Sequence, residues 1–297
     1  MTLELNGRMP HLSNGAKGEI IYTMNNINKI FCFGDSITGY CVTGQDHYNG
    51  LKFYPYLLGE YFDCEIENYG VRVNSNEKIS IDILNALSTK NYENSFFIIG
   101  WTSAIRRLVY MEDRKSMENI NDATETRPWY KSSVMDVFAT LNSMLTVQKV
   151  LTDRNIPFVN FFGWKSDFIF NGDKLKWIGK GYTGNKNKNI DLWEYKSNMW
   201  SVSEPLENTE VKSHGFDFIN LMCNELKTKN FIKKEFYDYL SEKGTVDGKF
   251  FKFKDAKIPS LNGEILVISE NDLHPNELGH KLWTEEVLIP NIEELLR

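Results

Sequence analysis

The sequence predicts an α/β protein in which helices cover both faces of a parallel sheet. Three observations predict it: short apolar runs end at glycine, segments with helical spacing alternate with these runs, and the turns between them are short. This alternation is typical of parallel strands joined by crossover helices. A chain of 297 residues is long enough for one large domain or for two smaller ones.

The first third of the chain carries the regular part of the pattern. Residues 1–28 are polar and rich in Gly and Asn, and we expect an N-terminal arm there. Strands are predicted at Lys29–Phe33, Cys64–Tyr69 and Phe96–Ile99, because each run is short, apolar and followed by glycine. Helices are predicted between them at Leu51–Phe62 and Ile79–Leu87, where apolar residues recur every three or four positions.

The second part begins regularly and then changes. A long helix is predicted at Ser133–Arg154, with Ser133 and Asp136 resembling a capping box, and a fourth strand at Phe158–Phe162. Residues 163–263 are too long for a simple crossover, so we expect an insertion with its own packing. The remaining predicted elements are helical segments at Phe216–Lys227 and Phe231–Ser241, a fifth strand at Ile265–Ile268, and a C-terminal helix from Leu278 to Val287 that bends or restarts at Pro290.

Composition and charge weigh against several classes of protein. A net charge of −6 and a pI near 5.5 weigh against nucleic-acid binding, which needs clustered Lys and Arg. No window approaches the length of a membrane span, and the N-terminus lacks a signal-peptide pattern, so we expect a soluble, cytoplasmic protein. The four cysteines have no paired spacing and are interpreted as free thiols. Lys- and Asn-rich loops are typical of an AT-rich genome, of which a virus is one source.

Two motifs far apart in the sequence carry the chemistry. Gly34-Asp35-Ser36 follows the first predicted strand, so the Ser36 hydroxyl is expected at the carboxyl edge of the sheet. Of the five histidines, only His274 has a carboxylate, Asp272, two residues before it and directly after a predicted strand. A serine needs a neighbouring base that a carboxylate orients, so these residues predict a nucleophile, a base and an acid. The alternative is that both motifs are turns or helix caps.

Negative charge on a reacting carbonyl oxygen needs preset hydrogen-bond donors. The candidates are the backbone N–H groups of Ser36 and Gly70 and a group from the turn after Gly100, each following a different predicted strand. In that turn the Thr102 hydroxyl is the candidate donor, although it could equally cap the next element. Further candidates, for contacts with substrate, are Asp35, Trp101, Ser103 and Arg106.

These motifs resemble those of the SGNH hydrolases, also called the GDSL esterase and lipase family. Gly34-Asp35-Ser36 matches the first block of the family, Asn68-Tyr69-Gly70 resembles the second, and Asp272-Leu273-His274-Pro275 is similar to the last. The resemblance implies a flavodoxin-like three-layer α/β/α sandwich with a parallel five-stranded sheet in the order 2-1-3-4-5. It covers most of the chain apart from the insertion.

The chain departs from the family pattern in two places. The third block of the family is usually Gly-x-Asn-Asp, and its Asn is an oxyanion donor; here the stretch is Gly100-Trp101-Thr102-Ser103. Many members also place the acid three residues before the base, a position that is Asn271 in this chain. Because Asn cannot carry the negative charge, Asp272 is the preferred acid.

The resemblance and the residues together predict a serine esterase that works through an acyl-enzyme and removes a small acyl group, an O-acetyl group on a carbohydrate being the preferred substrate. Aromatic residues of the insertion are suited to stacking on sugars, although a small core of their own is the favoured interpretation: Trp164, Trp177, Tyr182, Trp193, Tyr195 and Trp200. The alternatives are a catalytically silent carbohydrate-binding or structural module and an O-acyltransferase. No motif has metal-ligand or phosphate-binding spacing, so neither a metal nor another cofactor is expected.

Overall fold

The computed structural model of the chain describes residues 27–39, 51–104, 106–111, 116–120, 133–164, 168–177, 217–243, 259–269 and 272–297. Residues 1–26 of the predicted arm lie outside these ranges, as does more than half of the predicted insertion at 163–263. His11, His47, His214, Cys41 and four of the six aromatic residues named for the insertion (Tyr182, Trp193, Tyr195 and Trp200) also lie outside the described residues.

The described strands and helices alternate up to the third strand, and later elements come in runs of strands or of helices. The strands are β1 (Lys29–Gly34), β2 (Glu65–Gly70), β3 (Ser95–Trp101), β4 (Arg107–Met111), β5 (Ser116–Ile120), β6 (Phe158–Phe162), β7 (Phe168–Asn171), β8 (Lys174–Trp177), β9 (Ser260–Leu261), β10 (Glu264–Ile265), β11 (Val267–Ser269) and β12 (Asp272–Pro275). The helices are α1 (Tyr54–Phe62), α2 (Asn76–Thr89), α3 (Ser133–Asp153), α4 (Asp217–Glu225), α5 (Phe236–Lys243), α6 (Glu277–Trp283) and α7 (Ile289–Leu295).

A parallel sheet of four strands in the order β2-β1-β3-β6 forms the centre of the described structure. Gly34 at the end of β1 lies opposite Gly70 at the end of β2, and β3 pairs with both β1 and β6 in parallel. The α/β class and the first four positions of the predicted strand order are therefore confirmed. The carboxyl ends of all four strands lie at one edge of the sheet, where open α/β folds bind ligands.

The predicted fifth strand at 265–268 is not confirmed. This segment is divided between β10, which pairs antiparallel with β9, and β11, which pairs antiparallel with β12. Beyond β6, the described residues extend the sheet only by an isolated parallel bridge between Asn160 and Phe231. A short apolar run does not specify its partner. Here the Asn276 side chain, which directly follows β12, donates to the carbonyls of Ile265 on β10 and Val267 on β11 and so helps to hold this segment beside β12.

Two apolar layers pack on the two faces of the sheet, as expected for a three-layer arrangement. Alternate side chains of β1 and β3 point to opposite faces, so that Phe31, Phe33 and Phe97 join one layer and Ile30 and Cys32 join the other. Helices α2, α3 and α4 cover the first layer, and α1, α5 and the C-terminal helices cover the second.

Several helix boundaries differ from the sequence predictions. Helix α1 begins at Tyr54 rather than Leu51, because Pro55 suits the first turn of a helix. Helix α5 begins at Phe236 rather than Phe231, since Phe231 takes part in the bridge to Asn160. At the C-terminus, a π-helical segment at Thr284–Leu288 joins α6 to α7, and Pro290 lies in the first turn of α7.

The described cysteines and helices bear on two further predictions. Cys32, Cys64 and Cys223 are free thiols; Cys32 and Cys223 are buried, and Cys64 is half-buried. Within the described ranges, none of the helices combines the length and the apolar character that crossing a bilayer demands.

Candidate active site

A buried turn at Asp35–Gly39 follows β1 and packs across the ends of the neighbouring strands. The N–H groups of Thr38 and Gly39 donate to the Asp35 carbonyl, which closes the turn. Side chains then hold it from both sides, because Tyr54 donates to the Thr38 hydroxyl at 3.1 Å and the Asn68 amide donates to the Thr38 carbonyl at 3.0 Å. Ser36 is therefore carried by a turn that tertiary contacts fix.

Glycines at the strand ends make room for this turn. A Cβ atom on Gly34 would overlap the Thr38 hydroxyl, and one on Gly70 would overlap the backbone of Thr38 and Gly39. A Cβ atom on Gly100 would lie 2.9 Å from the Phe161 ring and 3.0 Å from the Thr38 hydroxyl. The glycines that mark strand ends in the sequence thus also allow the Ser36 turn to approach three strands closely.

The structure brings Ser36, His274 and Asp272 together in a chain of hydrogen bonds. His274 Nε2 lies 2.8 Å from Ser36 Oγ, and His274 Nδ1 lies 2.6 Å from Asp272 Oδ1. The carboxylate also accepts the His274 backbone N–H at 3.0 Å, so Asp272 holds both the backbone and the ring of His274. A carboxylate at Nδ1 selects the tautomer that carries the proton there, which leaves Nε2 to accept from the Ser36 hydroxyl.

The β11–β12 hairpin supplies the base and the acid. Asp272 and His274 both lie on β12, and Asp272 stands opposite Ser269 of β11. Residues i and i+2 of a strand point the same way, which places the two side chains on one face. Ser36 is only 2% exposed, whereas the His274 side chain is 23% exposed, so the pair is reached from the side of the imidazole.

Asp35, Thr102, Arg106 and Trp164 form a buried group beside Ser36, called the Asp35 cluster below. Asp35 Oδ2 accepts the Thr102 hydroxyl at 2.7 Å, the Trp164 indole N–H at 2.6 Å and the Arg106 guanidinium. Asp35 Oδ1 accepts the Ile37 backbone N–H at 3.0 Å. The carboxylate is thus fully occupied inside the protein, because the Arg106 charge and four donors replace water around it.

Two of the three predicted oxyanion donors are engaged elsewhere in this structure. The Gly70 N–H donates to Asn68 Oδ1 at 2.9 Å, and the Thr102 hydroxyl donates to Asp35. Among the described residues, no hydrogen bond engages the Ser36 N–H. A rotation of the Asn68 side chain would release the Gly70 N–H.

The candidates for substrate contacts lie inside the protein. Trp101 is 1% exposed and donates its indole N–H to Asn160 Oδ1 at 2.9 Å, a place in the core that weighs against contact with substrate. Asp35 and Arg106 are occupied by each other. Ser103 is buried, and its carbonyl accepts the Arg106 N–H at 3.2 Å. All four residues are buried.

Two contributing residues, Trp164 and Asn76, escape the sequence motifs, and Asn68 has a role that its motif did not indicate. Trp164 falls at the start of the predicted insertion, yet it follows β6 and Gly163, and a glycine after an apolar run is the signal that identifies the other strand ends. Asn68 anchors the Ser36 turn, and Asn76 holds Thr102 by accepting its N–H and donating to its carbonyl. No local signal in the sequence indicates the role of Asn76, because Asn76 begins α2 and Thr102 follows β3, 26 residues away.

His280 lies behind the site as a buried histidine. Its ring is packed against Phe53, Tyr54 and Phe236, and within the described part of the chain neither ring nitrogen has a hydrogen-bond partner. Burial, with a smaller contribution from His274, lowers the pKa of His280 to about 3. The imidazole is therefore neutral at physiological pH.

The described residues contain no group of His, Cys, Asp and Glu that could bind a metal ion. The expected absence of a metal stays a prediction for the chain as a whole.

Comparison with known proteins gives similarity at the level of structure. No family model matches the sequence, and no curated protein is similar to it. The similar solved structures are consistently SGNH or GDSL hydrolases. The esterase AlinE4 is 17% identical over 47% of this chain and 60% of its own, with a TM-score of 0.31; the chain thus spans less than two thirds of AlinE4.

Two further structures match over most of their length. A GDSL-like lipase from Bacteroides thetaiotaomicron is 10% identical over 92% of this chain and 91% of its own, with a TM-score of 0.41. An acetyl xylan esterase from Geobacillus stearothermophilus is 11% identical over 90% of this chain and 96% of its own, with a TM-score of 0.35.

Proposed function

We propose that this chain is a serine esterase of the SGNH type. The observation that carries the proposal is the pair of short contacts at one imidazole, 2.8 Å from Nε2 to Ser36 Oγ and 2.6 Å from Nδ1 to Asp272 Oδ1. A nucleophile, a base and an orienting carboxylate within hydrogen-bond reach of one another are the arrangement that activates a serine. The SGNH-like motifs occur at these same residues.

The proposed reaction proceeds in two halves. As the Ser36 oxygen attacks the ester carbonyl, its proton passes to His274 Nε2, and Asp272 stabilises the resulting imidazolium. The tetrahedral intermediate then collapses: the bond to the alcohol breaks, and His274 returns the proton to the leaving oxygen. Water, deprotonated by His274, attacks the acyl-enzyme, and the acid leaves as Ser36 regains its proton.

The oxyanion is proposed to be held by backbone donors. The Ser36 N–H is one of them, and the Gly70 N–H becomes the other when Asn68 releases it. Thr102 supports the oxyanion hole indirectly, because its hydroxyl donates a hydrogen bond to the Asp35 carboxylate. Loss of a single such donor typically costs about 10²–10³ in rate, so we expect slow turnover relative to an enzyme with three donors.

The proposed substrate is a small acyl ester, with an O-acetyl group on a carbohydrate as the preferred choice. The proposal of a carbohydrate rests on the SGNH-like motifs and on the aromatic composition of residues 164–200. The narrow access to Ser36 favours a small acyl group.

A catalytically silent SGNH-like module is the second candidate, and one observation favours it. Gly70 and Thr102 both donate to other residues, which leaves the hole with one unengaged predicted donor. An O-acyltransferase would use the same nucleophile and differ only in the acceptor that outcompetes water.

Assays with p-nitrophenyl acetate and with a fluorophosphonate probe distinguish these candidate functions. We expect wild-type protein to hydrolyse the ester and to be labelled at Ser36, and Ser36→Ala to lose both, because the Ser36 hydroxyl is the nucleophile that lies 2.8 Å from His274 Nε2. Ser143→Ala is the control, since Ser143 is a buried serine of α3 whose hydroxyl donates to the Ala139 carbonyl of the same helix, and it should keep labelling.

The outcomes separate the candidates. Equal, background rates for wild type and Ser36→Ala, with no label on Ser36, would favour the silent module. Labelling with little hydrolysis, followed by turnover when a sugar acceptor is added, would favour the acyltransferase.

A further inference from the structure

We propose that the Asp35 cluster is a positioning device for the Ser36–His274 pair and that Trp164 links its two halves. This inference rests on the proposed function of the same site. It gives Asp35, Thr102 and Arg106 a role different from substrate contact and assigns a role to Trp164, which the SGNH-like motifs do not include.

The contacts of the Asp35 cluster restrict the position of the Asp35 carboxylate. Asp35 is 2% exposed and Arg106 is 6% exposed, so both charges are removed from water. A buried carboxylate is costly unless a cation and hydrogen bonds compensate it. Arg106, Thr102, Trp164 and the Ile37 N–H provide that compensation, and they leave the carboxylate one geometry.

That carboxylate controls the backbone on both sides of the nucleophile. Asp35 directly precedes Ser36, and its Oδ1 accepts the N–H of Ile37, which directly follows Ser36. The peptide groups of Ser36 are therefore held between two anchored residues. One of these groups is the Ser36 N–H, the proposed oxyanion donor, so its direction depends on where Arg106, Thr102 and Trp164 place Asp35.

Trp164 contacts both halves of the pair. Its indole N–H donates to Asp35 Oδ2 at 2.6 Å, and its ring meets the His274 ring edge-on, with centroids 5.2 Å apart and an interplanar angle of 85°. A rigid side chain with both contacts couples the position of the imidazole to that of the Ser36 turn. Small displacements at reacting groups are costly, about 10²-fold for about 1 Å.

The chain offers a matched control for Trp164. Trp101, the last residue of β3, is also a buried tryptophan at the end of a central strand, and its indole N–H also donates to one side-chain oxygen, Asn160 Oδ1, at 2.9 Å. Trp101 belongs to the other apolar layer and has no contact with Asp35 or His274 among its described contacts. Replacing either residue by Phe removes one buried hydrogen bond and a similar volume.

The experiment measures hydrolysis of p-nitrophenyl acetate, the rate of fluorophosphonate labelling and thermal unfolding for wild type, Trp164→Phe and Trp101→Phe. We expect Trp164→Phe to lower kcat and the labelling rate about 10-fold with KM changed less than about two-fold, because the lost interaction orients groups without binding substrate. Both variants should lower Tm by similar amounts, and Trp101→Phe should keep the wild-type kcat.

A second pair of variants tests the charge in the cluster. Arg106→Met leaves Asp35 without its cation, whereas Arg106→Lys retains the charge and one donor. We expect Arg106→Lys to restore part of the kcat that Arg106→Met loses.

Three results would overturn the inference. The first is a wild-type kcat for Trp164→Phe when Ser36→Ala abolishes activity. This result would leave the proposed esterase function intact and would contradict only the role of Trp164. The second is an equal loss of kcat in Trp164→Phe and Trp101→Phe, which would reduce Trp164 to a structural residue. A wild type that is inert and unlabelled would instead overturn the proposed function, and the inference with it.

Discussion

At the scale of single residues, the same side-chain type has opposite roles in two places. His274 is partly exposed and has Asp272 and Ser36 at its two ring nitrogens, whereas His280 is enclosed by aromatic rings and has no such partner among the described residues. The two histidines differ in their surroundings. Polar partners stabilise a protonated imidazole, whereas burial among apolar groups destabilises the charged form. Only the first arrangement is suited to proton transfer.

The neutral state of His280 has a consequence for stability in acid. Its pKa is lowered to about 3 in the fold, while an unfolded histidine has a pKa near about 6.5. Between these values the unfolded state binds more protons, so the contribution of His280 is fully present above pH of about 6.5 and is lost as pH falls toward about 3. The free energy of unfolding should fall by up to about 1.4 kcal/mol per pH unit from this residue.

His280→Phe should remove this dependence. Phenylalanine fits among Phe53, Tyr54 and Phe236 and leaves no buried ring nitrogen without a partner. Urea unfolding at pH 7.5 and pH 5 should show a smaller difference for the variant than for wild type, with the variant the more stable at pH 5. A wild-type pH dependence in His280→Phe would assign the acid sensitivity to other groups.

At the scale of elements, the loop between β2 and α2 joins the site to the fold. Ser75 ends the loop as the N-cap of α2, accepting the Lys78 N–H, and the Asn74 side chain donates to the Gly34 carbonyl at the end of β1. Val73 lies between these anchors and Gly70 with φ of +60°. The other non-glycine residues with positive φ in the described ranges are Asp63, Asn94, Asn155 and Asn262, which tolerate this region better than a β-branched residue.

Val73→Gly should therefore stabilise the protein. The left-handed conformation costs an L-residue about 1–2 kcal/mol, and the gain is reduced by the greater freedom of glycine in the unfolded chain, so we expect a net gain of about 1 kcal/mol. Val71→Gly is the control in the same loop, because Val71 has no positive φ and should be destabilised. Denaturant unfolding of both variants measures the difference, and equal losses in the two would contradict backbone strain at Val73.

At the scale of the whole molecule, the site exists because strand ends far apart in the sequence meet. The backbone of Thr38 and Gly39 lies against Gly70, and the Thr38 hydroxyl lies against Gly34 and Gly100. His274 reaches the same edge from 238 residues away in the sequence. Close packing of backbone against backbone at this edge leaves no space for a methyl group at Gly70.

Gly70→Ala should disturb both stability and activity. The added Cβ meets backbone atoms of Thr38 and Gly39, so the Ser36 turn must move, whereas at Gly100 the nearest atoms belong to the side chains of Phe161 and Thr38. Overpacking typically costs about 1–3 kcal/mol, and we expect Gly70→Ala to exceed Gly100→Ala. Denaturant unfolding and kcat/KM for p-nitrophenyl acetate measure the two effects. A fully active Gly70→Ala would show that the turn accommodates the methyl group without moving Ser36.

The parts of the fold that depend on local patterns are predictable from the sequence. Strands β1, β2, β3 and β6 and helices α2 and α3 follow from apolar runs, helical spacing and strand-end glycines, because these features act within a few residues. The segment at 265–268 is apolar enough for a strand, but its partner depends on residues such as Asn276 that fold back onto it. The predicted fifth strand was therefore wrong in its pairing with the central sheet.

For the site, the sequence by itself determined the residue types: a serine after a strand, a histidine two residues after a carboxylate, and glycines where strands end. Tertiary structure alone decided which donors remain for an oxyanion, since Thr102 and Arg106 turn to Asp35 and Gly70 donates to Asn68. It also brought Trp164 between Asp35 and His274. The physical reason is that a buried carboxylate takes the donors that packing brings within reach, and packing depends on the whole chain.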